Sequence, residues 1–156
     1  MVMRMPNETF RTHMPARYQR VFLLIGALTT LGSSTAMAPT SMTGAILVGT
    51  LIAAVFLAAI LMQATVRLEA NKVSIKVAVI FATTIPYDTI DNVTAGETTG
   101  IAAGMGLRIL PNNTTGYLVG GPSVRITTGG TAVLVSSNTP EKLLEAIEHR
   151  RIHQDP

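Results

Sequence analysis

The chain has 156 residues, 47% hydrophobic and only 13% charged, where an ordinary soluble domain is about 25% charged. It contains no cysteine, which excludes a disulfide framework, a thiolate zinc site and a cysteine nucleophile. The net charge is +3, and Arg4, Arg11, Arg17 and Arg20 precede the first apolar segment, so membrane topology accounts for them before nucleic acid does.

Residues 1–20 read as a mobile, basic cytoplasmic tail. Glu8 is their one acid, and Pro6 and Pro15 break any helix. The interleaved aromatics of a nucleic-acid arm are missing, and no nucleic-acid partner is expected.

Residues 21–63 read as a transmembrane hairpin. Its first arm is Val21–Ala38, VFLLIGALTTLGSSTAMA. The hydroxyls of Ser33, Ser34 and Thr35 can bond back to the i−4 carbonyl or across to a neighbouring helix. A secretory signal is the alternative, because Ala36-Met37-Ala38 resembles an A-x-A cleavage site. The run exceeds the usual 7–15 residues of a signal core, and a second apolar run follows at once, which favours a retained helix. That second run, Gly44–Met62, carries no charge. At 1.5 Å per residue it matches a bilayer core of about 30 Å. Pro39–Thr43 is a short uncharged link, so the arms are antiparallel. Arginines precede the first arm, and Arg67, Lys72 and Lys76 follow the second. Both termini are therefore expected in the cytoplasm, with the protein multi-pass in the plasma membrane. Gly49 with Ala53, and Ala54 with Ala58, have the small-residue spacing that lets helices approach.

Residues 64–156 read as one small domain. In ATVRLEA the apolar period becomes two, and Ala70-Asn71 is a turn. Val73, Ile75, Val77, Val79 and Phe81 predict one face of a long strand. IPYDTIDNVTA begins at an edge or bulge, since Pro86 cannot donate to a ladder. Glu97–Met105 is a glycine-rich loop. Short strands over 106–109, 116–119, 123–127 and 131–136, with turns at Asn112-Asn113, Gly120-Gly121 and Gly129-Gly130, predict a regular antiparallel meander closing into a barrel or sandwich. A final helix spans about 140–151. Pro140 suits its first turn, Leu143, Leu144 and Ile147 form its apolar stripe, and His149, Arg150 and Arg151 suit its negative end.

These features together resemble the small bacterial membrane proteins that carry two transmembrane helices and a PH-like domain. TVRLEANKVSIKV resembles that family's opening hairpin, and IPYDTIDNV its recurrent strand. GMGLRILPNNTTGYLVGGPSVRIT resembles its glycine-rich passage, and SNTPEKLLEAI its closing helix. Met105 stands where the family has an aromatic residue, and Asn71-Lys72 replaces its turn glycine. The resemblance implies a bent antiparallel barrel capped by a helix. It does not imply phosphoinositide binding.

No constellation points to catalysis, and the chain is expected not to be an enzyme. Gly100, Gly104 and Gly106 lack the lysine and following helix of a phosphate loop. Asp88 and Asp91, beside Tyr87, read as solvated turn residues rather than an acid–base pair. His149 and His153 share a helical face, but Arg150 and Arg151 fill the interval where a zinc site would carry a glutamate. Asn92-Val93-Thr94 and Asn113-Thr114-Thr115 are sequons by pattern alone. Arg108 and Arg125 sit between apolar strand neighbours and so point away from the core. They are the candidate binding face, toward an anionic lipid headgroup, a small ligand or an acidic partner. No cofactor and no metal are expected. The expected partners are the bilayer and either another protein or a second copy.

Overall fold

The computed structural model describes residues 6–78 and 80–153. Arg4 and Val79, both used above, lie outside them. The chain forms two compact units, Met14–Met62 and a second made of Met1–His13 with Gln63–Pro156.

The helical unit holds α1 (Ala16–Met37) and α2 (Met42–Ile60). Both are long and apolar enough to cross a bilayer. The Ser41 hydroxyl caps α2 by accepting the Gly44 N–H at 3.0 Å. Leu23, Leu28, Ile46 and Leu51 point outward and are exposed, while the buried positions are Gly26 in α1 with Ala45 and Gly49 in α2. Contact through small residues is how helices meet where hydrophobic burial in water does not drive them together. A Cβ on Gly26 would lie 2.8 Å from Phe56 Cγ. The Ser34 hydroxyl donates across to the Ala45 carbonyl at 3.3 Å, and Thr35 bonds back to Leu31 at 2.9 Å. The expected small-residue seam is met at Gly49 alone, whereas Ala53, Ala54 and Ala58 are exposed.

The β-rich unit starts earlier than the sequence reading placed it. Glu8–His13, read as part of a mobile tail, is strand β1. It pairs antiparallel with β2 (Gln63–Leu68), from Glu8 opposite Leu68 to His13 opposite Gln63. The helical unit is thus inserted between two adjacent strands. β3 (Lys72–Val77) and β4 (Phe81–Pro86) complete a four-stranded antiparallel sheet in the order β1-β2-β3-β4. The expected long strand through Phe81 is broken. Ala78 has φ of 51°, and the chain doubles back so that Phe81 pairs with Val77. Pro86 ends the edge strand β4, where its missing N–H costs no ladder bond.

A single 3-10 turn, Tyr87–Thr89, leads to β5 (Asn92–Thr99), followed by β6 (Gly106–Leu110), β7 (Thr114–Leu118), β8 (Gly121–Thr128) and β9 (Thr131–Ser136). They form a five-stranded sheet ordered β5-β8-β9-β7-β6. This is not the expected meander. Gly120 and Gly121, with φ of 86° and 87°, carry the chain past the end of β9, and β7 then pairs with β9 in parallel. The Ser136 hydroxyl accepts the Val119 N–H at 3.1 Å at this crossing. The fold is therefore α+β with one antiparallel and one mixed sheet, and the two sheets do not close into a barrel.

Alternation along the strands builds the core. Val66, Leu68, Val73, Ile75 and Val77 are buried on the first sheet, and Val124, Ile126 and Val135 on the second. Helix α3 (Pro140–Ile152) lies against β5 and β8 and buries Leu143 and Ile147. Near its end, Arg150 is only 3% exposed. Its guanidinium donates to the carbonyls of Glu69, at 3.3 Å, and Pro6, and faces the Glu8 carboxylate at 3.6 Å. Just ahead of α3, the Asn138 N–H donates to the Thr12 hydroxyl at 3.2 Å. These contacts tie β1 into the unit from both ends of α3.

Candidate functional site

Lateral register places the two candidate arginines on one face. Across the second sheet one row runs Thr94, Arg125, Leu134, Gly116, Arg108. Residues opposite one another point to the same side of a sheet, so Arg108 and Arg125 share the face away from Val124 and Ile126. They stand three strand spacings apart, ~14 Å, and do not converge. Arg108 is exposed on β6 and lies over Gly104, where φ is 79° and a Cβ would meet its guanidinium. Arg125 is half-buried and lines a cavity of about 460 Å³ with Gly96, Glu97, Asn112, Thr114 and Leu134.

Local sequence explains the cavity. The pairing of β5 with β8 slips between Gly96 and Thr99, and this bulge forms one wall. The Glu97 carbonyl accepts the Ser123 hydroxyl at 2.6 Å. At Gly96 a Cβ would collide with Ser123 Oγ and Leu134 Cδ1, so a larger residue would have to displace those two side chains. The opposite wall is the turn at Asn112-Asn113, both with positive φ, a conformation asparagine tolerates. Arg125 Nη2 donates to Thr114 Oγ1 at 3.0 Å, and that hydroxyl donates to the Asn112 carbonyl at 3.2 Å. This is the one hydrogen bond of the Arg125 side chain among the described residues. Its remaining donors suit a carboxylate or phosphate, which guanidinium binds in fork geometry. Glu97 at the rim limits how much negative charge such a guest can carry.

The open edge of the same sheet is the second notable feature. Among the described residues β6 pairs with β7 on one side and with no strand on the other. It carries Leu107, Arg108 and Ile109, and Ile109 is 93% exposed. Nothing in its glycine-rich surroundings announced an apolar edge, although the alternation Leu107-Arg108-Ile109 was visible.

The other sequence candidates have structural roles. Asp91 Oδ2 accepts the Gly129 N–H at 2.6 Å, bracing the turn between β8 and β9. The rings of His149 and His153 sit 4.3 Å apart, and His153 Nδ1 lies 2.8 Å from the His149 carbonyl. Among the described residues no group of three or more His, Asp or Glu could hold a metal ion. Gly104 is followed by a strand, not a helix, so no phosphate-loop geometry arises. Tyr87 is 1% exposed, and among the described residues its hydroxyl has no partner within hydrogen-bond geometry. Burial pushes that hydroxyl up to about 12, against the opposing pull of the nearby Arg150 charge. Compared with models of known protein families, with curated proteins and with solved structures, the chain finds no match in any of the three.

Proposed function

We propose that this is a two-helix membrane protein whose β-rich unit is a non-enzymatic assembly module facing the cytoplasm. The helices cross the plasma membrane, and the turn between them lies outside. The pairing of β1 with β2 supports this orientation, because a strand ladder cannot straddle a bilayer. The two ends of the helical insert then lie on one side, as the flanking arginines also favour. Two apolar helices, two sheets and a terminal helix support the PH-like reading at this coarse level. The parallel pairing of β7 with β9 departs from the all-antiparallel barrel that this reading implies.

The observation that carries the assembly role is the open β6 edge with its exposed Ile109. An unpaired edge offers backbone donors and acceptors to an added strand, and its side chains supply specificity. A partner strand with an acidic residue opposite Arg108 would match the charge. Since the chain has no cysteine, Ile109→Cys bearing a benzophenone reports on this edge alone. In native membranes we expect an adduct at position 109, none at the control Glu141→Cys, and its loss when Arg108→Glu is added. Position 109 giving no more adduct than position 141 would refute the role.

The Arg125 cavity supports a second reading, a site for a small anionic ligand. Phosphate or a short carboxylate would then raise the thermal midpoint of the full chain but not of Arg125→Ala. Equal response of both proteins would count against this site.

A further inference from the structure

We propose that Ile80 and Phe81, at the turn into β4, make an interfacial contact with the membrane leaflet from which the helices emerge. This rests on the transmembrane reading above. The turn is tied to the membrane end of the chain: the Ala78 N–H donates to the Gln63 carbonyl at 3.1 Å. Gln63 opens β2 and follows the end of α2 by only three residues. This leaves the turn only a short stretch of chain from the end of α2.

The side chains here suit that depth. Ile80 is 80% exposed and Phe81, beside it, is 39% exposed. A tip of a small water-soluble unit gains nothing by presenting isoleucine and phenylalanine to water, but both partition favourably into the headgroup boundary. Next along the sheet comes the row Arg11, Thr65, Lys76, Ala82. Arg11 and Lys76 are both exposed on one face of it. Apolar residues at the tip with cations one row behind is the order that an anionic leaflet meets from hydrocarbon outward, each cation near the surface contributing about 1 kcal/mol. The first turns of α1 repeat the chemistry, with the Arg17 guanidinium 4.6 Å from the Tyr18 ring centre and Arg20 following.

Single cysteines labelled with an environment-sensitive nitrobenzoxadiazole test this in the full chain, reconstituted in vesicles of phosphatidylcholine with phosphatidylglycerol. Three positions are compared: Ile80→Cys, Leu28→Cys on the outward face of α1, and Glu141→Cys on α3. We expect blue-shifted emission and quenching by nitroxide-labelled lipid at positions 28 and 80, and neither at 141. Quenching at 28 with position 80 behaving like 141 overturns the interfacial contact while leaving the transmembrane reading intact. Absence of quenching at 28 overturns the transmembrane reading itself, and this inference with it. Arg11→Glu with Lys76→Glu should weaken the quenching at position 80 without changing that at 28; no change at 80 would overturn the role given to the two cations.

Discussion

Replacing Arg150 with methionine should release the first strand. The arginine is almost wholly buried, and it donates to two backbone carbonyls, those of Glu69 and Pro6. A hydrogen bond from a charged donor is worth about 1.5–3 kcal/mol. The Glu8 ion pair adds little, because at 3.6 Å and with the carboxylate half-exposed it belongs with surface pairs of about 0–1 kcal/mol. Methionine keeps most of the buried stem, so packing loss is small. Part of the gross gain is returned, since the variant no longer desolvates a guanidinium. The net is a loss of about 2–4 kcal/mol, which is roughly a 30- to 1,000-fold rise in the opening equilibrium. Amide exchange followed by mass spectrometry on the full chain in nanodiscs reads this directly, in peptides covering β1 and its partner β2. Glu8→Gln should change the same peptides by less than about tenfold. If Arg150→Met leaves β1 exchange within about threefold of the parent, a change below 0.7 kcal/mol, then Arg150 does not hold the strand and the reasoning fails.

Three further outcomes can be checked. Tyr87→Phe removes a buried hydroxyl that has no hydrogen-bond partner among the described residues, so stability at neutral pH should stay level or rise by about 1 kcal/mol, read by thermal or denaturant unfolding. The Tyr87 hydroxyl is raised in the fold from 10.0 to about 12, so its contribution is complete below pH 10 and is lost as pH rises through 12. The variant should lack that alkaline component and the 295 nm absorbance step near pH 12; an unaltered step would show that Tyr87 is not its source. The Ser74 hydroxyl donates to Glu69 at 2.9 Å and, ahead of Lys72, holds that carboxyl below its ordinary value against partial desolvation. The stabilisation it brings is present above the ordinary carboxylate pKa and lost as pH falls through the lowered one. Ser74→Ala should move the Glu69 titration upward in carboxyl-carbon NMR, and an unmoved titration would reject the assignment. In the helical unit, Gly26→Val puts a branched side chain where even a Cβ meets Phe56, so helix pairing should lose about 1–3 kcal/mol. A thermal midpoint equal to the parent's in the same detergent would show that the pair does not meet at Gly26.

What could be read from the residues follows the range of the forces involved. α2 was legible because an unbroken apolar run is a local property, and β9 because Thr131–Ser136 sits between a glycine pair and a proline-capped helix. The Ser34 bond to the other helix was also anticipated, since a hydroxyl in an apolar helix has few other partners. β1 was missed because its partner β2 lies beyond the whole helical insert, although Phe10 and Thr12 alternate with Thr9 and Arg11 as a strand would. The break at Ala78 was hidden inside an apolar run with no glycine, proline or asparagine to mark it, and alanine at positive φ is uncommon. Gly120-Gly121 looked like a hairpin turn, and only the packing of β9 between β7 and β8 distinguishes a crossing from a hairpin. For the arginines, strand parity predicted that Arg108 and Arg125 point outward. Which of them lines a cavity depended on the bulge at Gly96, which parity does not reveal. Arg150 was read as a cation suiting a helix end, and its burial beneath Pro6 and Glu69 needed the missing strand to be known first.

The ladder between β1 and β2 also sets an order of events during synthesis. β1 leaves the ribosome first but has nothing to pair with until both helices and β2 have been made. On the transmembrane reading proposed above, a helix that failed to insert would strand β1 and β2 on opposite sides of the bilayer, Arg150 would lack its Pro6 carbonyl, and the sheet would keep an unpaired flank. On that reading, completion of the sheet is conditional on correct insertion. A misinserted copy would display an unfinished edge that proteolytic surveillance could recognise, and a correctly inserted one would seal it.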